Sequence, residues 1–291
     1  MDRFDRIKGV MFGIACGDAL GATLEFFDLD ENHVVLTEIV GGGIFNLEPG
    51  EVTDDTDMTL CVAKGILSNP ENPINEIGSE WIKWYKANPI DVGNIIRIVI
   101  NNYLNEKNWK VATKMAHDEL DGESAGNGSL MRTAPISFYK DMEDVEKWSI
   151  EVSKMTHYDS LADEACLIYN KILYRLMNGE DKDKVIMSEI KDTKYVDILK
   201  FEKYNLKPTG FVVDTLECVL WCCLTEDSFK DIVVKAANLG GDADTIAAIA
   251  GGIAGAYYGY DSIPDSWKDK IIIKDKLMKV CENFKKDVNF S

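Results

Sequence analysis

Apolar residues recur at intervals of three and four through nearly every periodic stretch of the chain, and alternation in twos is almost missing. The run LADEACLIYNKILYRLM at 161–177 is the clearest case, with its apolar positions falling along one stripe of a helix. The same spacing predicts helices over 57–67, 79–87, 109–120, 144–155, 160–177, 212–224, 228–237 and 274–284. The best strand candidate is the short segment 34–39. Gly41-Gly42-Gly43, Pro49-Gly50, Pro89, Gly126-Asn127-Gly128 and Pro208 punctuate the connectors. No repeat, low-complexity tract or divisive linker appears, so residues 1–291 are expected to form a single compact all-α domain of ten or more helices.

A hydrophobic content of 46% with only 7 prolines supports a substantial core. Fifty acidic against 32 basic side chains give a net charge of −18, which disfavours nucleic acid and anionic membrane surfaces as partners. The odd count of 7 cysteines, set mostly among apolar neighbours, reads as reduced core thiols and a cytoplasmic location. Cys218, Cys222 and Cys223 have no nearby histidine and no second cysteine pair, so zinc is not expected. Asp2, Asp5 and Asp18 break the resemblance of the N-terminal run to a cleaved leader. The apolar run at 246–259 is too short to span a membrane. Its Gly251 and Gly255 are suited to close approach of two buried helices.

Polar residues collect at helix starts beside glycines. Thr53-Asp54-Asp55-Thr56-Asp57 places three carboxylates and two threonines in five residues. Capping and the helix dipole account for one or two of these; the rest would repel one another unless a cation sat among them. Gly240-Gly241-Asp242-Ala243-Asp244-Thr245 repeats the chemistry about 190 residues later, and Asp244 falls inside an apolar run where an unpaired charge is costly. Oxygen donors without histidine or thiolate form a hard set, suited to Mg²⁺, Ca²⁺ or Mn²⁺. Asp54, Asp55, Asp242 and Asp244 together balance two divalent cations, as a two-metal site requires. Asp18 and Glu25, seven apart, are expected two turns along one face of the first helix. Pro89 to Asn94 reads as a turn and cap around Asp91. Gly126-Asn127-Gly128-Ser129 precedes the helix-like LMRTAPI and can offer backbone N–H groups to phosphate. Thr156-His157 precedes another helix.

Taken in order, these motifs resemble the ADP-ribosylglycohydrolase family: GIACGDALGATLEF, TDDTDMTL, DVGN, GNGSLMRTAPI, THYDSLA, PTGFVVDTLECVLW and GGDADTIAAIAGGIAGAYYG. The resemblance spans nearly the whole chain and implies a helical fold with two Mg²⁺ or Mn²⁺ ions at the base of a cleft. It implies Thr53, Asp54, Asp55, Asp242, Asp244 and Thr245 as metal ligands, and Glu25 and Asp91 as catalytic acids. Gly126, Asn127, Gly128 and Ser129 would line the diphosphate site, with His157 and Phe211 bordering the substrate. Two positions depart from the family pattern: Ile95 and Ile96 stand where many relatives carry threonine, and Phe211 stands where tyrosine is commoner.

The activity implied is hydrolysis of the glycosidic bond at the ribose anomeric carbon, releasing ADP-ribose from a modified protein side chain, with arginine as the expected acceptor. The alternatives are a hydrolase of a small ADP-ribosyl metabolite, or an immunity or ADP-ribose-binding protein with little activity.

Overall fold

The computed structural model describes residues 1–27, 33–287 and 290. Among them the regular elements are helical: α1 Arg3–Gly21, α2 Asp54–Ser68, α3 Ile74–Lys86, α4 Asn94–Glu106, α5 Trp109–Glu119, α6 Met142–Ser153, α7 Ser160–Met177, α8 Lys182–Ile190, α9 Val212–Thr225, α10 Phe229–Ala237, α11 Ala243–Tyr258, α12 Asp265–Lys270 and α13 Lys274–Lys286. Short 3₁₀ turns complete the set, and the described residues form isolated β-bridges but no strand. Side-chain oxygens of Asp2, Asn108, Asp159, Asp181 and Ser228 accept first-turn N–H groups, so local sequence fixes where several helices begin.

The centre is the pair α1 and α11. Both are buried around nearly their whole circumference, as helices apolar on every side must be. Gly9, Gly13, Gly17 and Gly21 face Gly255, Gly251, Ala247 and Ala243 in antiparallel register. A methyl group on any of the four α1 glycines would overlap the facing backbone carbonyl, so the two backbones lie in direct contact. Gly251 and Gly255 thus do mediate close approach, and their partner is a glycine stripe of α1. The register has a functional consequence: the start of α11, with Asp242 to Thr245, meets the end of α1. Helices α2, α7, α9, α10 and α13 pack around this pair.

Segment 34–39 is not a strand. Val34 and Val35 are exposed, and Leu36 gives its N–H to Asn238 Oδ1 and takes the Asn238 amide on its carbonyl, both at 2.8 Å. A side chain from α10's end satisfies the backbone that a neighbouring strand would otherwise have paired. LMRTAPI is likewise not an α-helix: Asn127–Ser129 and Ala134–Phe138 are 3₁₀ turns, the second holding Pro135. All seven cysteines are buried and free. Among the described residues no helix is long and apolar enough to cross a membrane.

Candidate active site

Asp18 organises one wall. Fully buried on α1, it accepts from the Thr53 N–H and hydroxyl, each at 3.1 Å, and from the Thr56 N–H at 3.2 Å and hydroxyl at 2.5 Å. These bonds clamp the first turn of α2 against α1. Thr53 caps that turn, and Asp54 and Asp55 lie within it, one and two residues past the cap rather than ahead of the helix. Burial raises the Asp18 carboxyl to about 7, against four bonds that favour its ionised form.

The opposite wall comes from the end of α1 and the start of α11. Here the expected geometry needs correction: α1 stops at Gly21, and Glu25 lies in the turn beyond it rather than two turns along the same face as Asp18. Phe26 adopts a left-handed φ of 61°, and its N–H donates to the Gly241 carbonyl at 2.6 Å. Gly241 N–H donates in turn to the Phe27 carbonyl at 3.0 Å. This pairing carries Glu25 to the α11 N-terminus, where Glu25, Asp242 and Asp244 offer carboxylate oxygens within 4.8 Å of one another.

Glu25 Oε2 and Asp244 Oδ1 of this group, and Asp55 Oδ1 on α2, are buried without a hydrogen-bond partner. Asp55 Oδ2 accepts from the Thr245 hydroxyl at 3.2 Å, joining the two distant motifs directly. Asp242 Oδ2 accepts from the Asn127 amide at 2.5 Å, and Asp54 Oδ2 accepts from Gly93 N–H at 3.1 Å. Asp91 lies near enough to Asp54 to raise the Asp54 carboxyl further, after burial. Unpartnered buried oxygens converging in an all-oxygen set are what a hard divalent cation requires of its ligands. The residues fit such a group.

Burial first, and mutual repulsion second, push Asp55 and Asp244 well above the usual carboxylate range and Glu25 to about 8. A carboxyl whose folded value is raised stabilises least once it must ionise. The protein without divalent ions should therefore lose melting temperature as pH rises from about 5 to 8, the window between ordinary carboxyls and the values above. Adding Mg²⁺ or Mn²⁺ should restore more at pH 8 than at pH 5. Thermal melts in EDTA and in each ion would check this; a flat pH profile in EDTA would contradict it.

A cavity of about 520 Å³ opens over the cluster. Its walls include Glu25, Asp54, Asp55, Asp91, Asp242, Asp244, Thr245, Gly126, Asn127, Gly128 and His157, so most of the expected site residues converge there. Thr53, Ser129 and Phe211 do not line it: Thr53 is engaged with Asp18, Ser129 is buried, and Phe211 is exposed at the cap of α9. Phe211 contributes through its backbone, bridged to Gly126. Ile95 and Ile96 join the wall, and their Cδ1 atoms would lie 2.8 and 2.9 Å from a Cβ at Gly126 and Gly128. The absence of a Cβ at Gly126 and Gly128 is thus what lets α4 pack against the loop. Asp18 and Arg132 were not assigned roles by sequence pattern; each sits inside a recognised motif, but only packing shows what it holds.

The architecture defines an all-helical protein with a cleft lined by carboxylates and a threonine hydroxyl at the meeting point of three helices. The chain belongs to the ADP-ribosylglycohydrolase family, whose sequence model matches residues 1–289. It is 34% identical to ADP-ribosylarginine hydrolase Tri1 of Serratia proteamaculans (strain 568), over 97% of this chain and 79% of that protein. Identity is also 34% with the ADP-ribosyl-(dinitrogen reductase) glycohydrolase of Rhodospirillum rubrum, over 93% of this chain and 91% of that one. With human ADP-ribosylhydrolase ARH3 it is 26%, over 90% and 88%. A solved structure described as an ADP-ribosylglycohydrolase-related protein complex superposes with a TM-score of 0.83 at 28% identity, covering 97% of each chain.

Proposed function

We propose that this chain, acting as a single domain, removes ADP-ribose from modified protein side chains, arginine foremost, by hydrolysing the glycosidic bond at the ribose anomeric carbon. The observation that carries this reading is the convergence of Glu25, Asp54, Asp55, Asp242, Asp244 and Thr245 on one cavity, with three buried oxygens lacking partners. The relatives named for ADP-ribosylarginine and ADP-ribosylated dinitrogen reductase support the substrate class.

Asp54, Asp55, Asp242, Asp244, Thr245 and Thr53, whose hydroxyl keeps a lone pair, are the ligands assigned to two Mg²⁺ or Mn²⁺ ions. Those ions would supply Lewis acidity and offset the carboxylates' charge. Asn127 holds Asp242 in orientation, while Gly126 and Gly128 in the cavity wall are the loop backbone that a diphosphate would approach. Glu25 and Asp91, both in the cavity wall, are the candidates to orient and deprotonate the attacking water. The carboxylate-rich floor favours the positive charge that develops at the anomeric carbon. Seven buried free thiols support a cytoplasmic location.

The test is a panel of arginine-, serine- and cysteine-linked ADP-ribosyl peptides, with free ADP-ribosyl metabolites beside them, incubated in Mg²⁺ or Mn²⁺. Arginine-linked release is expected, with Glu25→Gln and Asp91→Asn lowering turnover more than ADP-ribose affinity. Binding without cleavage of any substrate would replace this reading with that of an ADP-ribose-binding protein.

A further inference from the structure

Arg132 is fully buried, and no carboxylate among the described residues lies within ion-pair distance of it. Its guanidinium sits 4.2 Å from the centroid of the Trp81 ring. Nη1 donates to the Gly128 carbonyl at 2.6 Å, and Nη2 donates to the Thr156 hydroxyl oxygen at 2.5 Å. That oxygen lies 2.8 Å from His157 Nδ1. A charge held in the interior without an anion is costly, so its contacts call for an explanation.

The polarity of this chain follows from the chemistry of its first member. A guanidinium only donates, so the Thr156 oxygen accepts from Arg132 and its own proton must be directed elsewhere. Among the described residues, His157 Nδ1 is the acceptor it reaches. Accepting there leaves Nδ1 without a proton and places the ring proton on Nε2. Nε2 has no protein partner among the described residues; it would lie 3.5 Å from a Cβ at Gly126, and the ring is part of the cavity wall.

We infer that Arg132 and Thr156 are positioning residues that fix His157 as the Nε2–H tautomer, presenting a preset donor to an anionic oxygen of the ligand beside the glycine loop. Resting on the functional reading above, that oxygen belongs to the diphosphate of ADP-ribose. The same guanidinium grips Gly128, so one buried cation sets both the loop and the imidazole facing it. Burial, reinforced by the Arg132 charge, holds the His157 value well below the ordinary imidazole range, which suits a neutral donor rather than a base.

With only 3 histidines in the chain, ring nitrogens can be assigned individually by long-range proton–nitrogen NMR of the full-length protein. Wild type should show His157 protonated at Nε2, with Nδ1 shifted as a hydrogen-bond acceptor. The near-isosteric Thr156→Val should move Nδ1 to the position of an unbonded imine nitrogen and weaken ADP-ribose binding in Mg²⁺ by ~10-fold, the scale of one hydrogen bond to a charged group. Thr156→Ser should restore both. A proton on Nδ1 in wild type would overturn the inference, as would a Thr156→Val spectrum unchanged at Nδ1. The spectra are recorded without ligand, so failure of wild type to bind ADP-ribose would strike the functional reading and leave the relay to be judged by the ring itself.

Discussion

Asp244→Asn should make the protein without divalent ions more stable and the enzyme nearly inactive. The Asp244 carboxyl is buried at the start of α11, with Asp55, Asp242, Glu25 and Asp18 adding repulsion to the penalty of burial. One of its oxygens has no partner. Asparagine keeps the shape while removing a charge that nothing in the protein balances, so the melting temperature in EDTA should rise, most clearly at pH 8. The gain on adding Mg²⁺ or Mn²⁺ should shrink because one ligand is gone. Release of ADP-ribose should fall by ~100-fold or more, since losing even an outer partner of a metal ligand costs 10–100-fold. A site kept in place for function at the expense of stability predicts this opposition. A variant that melts lower than wild type in EDTA would show that the carboxylate instead contributes to the fold.

The same electrostatics explain how much of the site was legible in the sequence. Three carboxylates in the five residues from Thr53 to Asp57 exceed what a helix cap can use, and Asp244 interrupts an apolar run; both anomalies are local, so both were visible. Glu25 was harder to place. Its separation of seven from Asp18 suits one helix face, yet that holds only if α1 continues past Gly21. The stop comes from a tertiary pairing, Phe26 and Phe27 with Gly241, which has no local signature. Segment 34–39 failed for a similar reason: Asn238, some 200 residues away, takes the hydrogen bonds its alternation would have spent on a strand. Helix α4 is less legible than its neighbours, because its clustered isoleucines and valine blur the three-and-four spacing, and Pro89 to Asn94 reads as a turn and cap. Arg132 gave no hint of being buried, because nothing local shows which long polar side chains the core will enclose.

The glycines of α1 carry the second large expectation. Gly17→Ala should destabilise the protein, although alanine is the better helix former by about 1 kcal/mol. The added methyl would overlap the Ala247 carbonyl and lie 2.8 Å from the Ala248 backbone nitrogen. Neither is a side chain that can rotate away, so relief requires α1 and α11 to separate. Overpacking of that kind costs about 1–3 kcal/mol and more when backbone must move, which outweighs the propensity gain. A fall in melting temperature of roughly 5 °C or more is expected. Gly93→Ala, whose Cβ would meet nothing nearer than Ile96 Cδ1 at 3.6 Å, should change stability far less. The site should suffer beyond the loss of stability. Asp18 is the next residue on α1, and the four bonds it accepts hold the first turn of α2 against the helix pair. Forcing α1 from α11 therefore parts Asp55 from Thr245, and Mg²⁺ titrated into the folded variant, well below its melting temperature, should bind more weakly than to wild type. Equilibrium unfolding and the Mg²⁺ titration separate the two effects. A Gly17→Ala protein as stable as wild type would mean that the helix pair yields easily, and that its close approach is not what sets the geometry of the carboxylates.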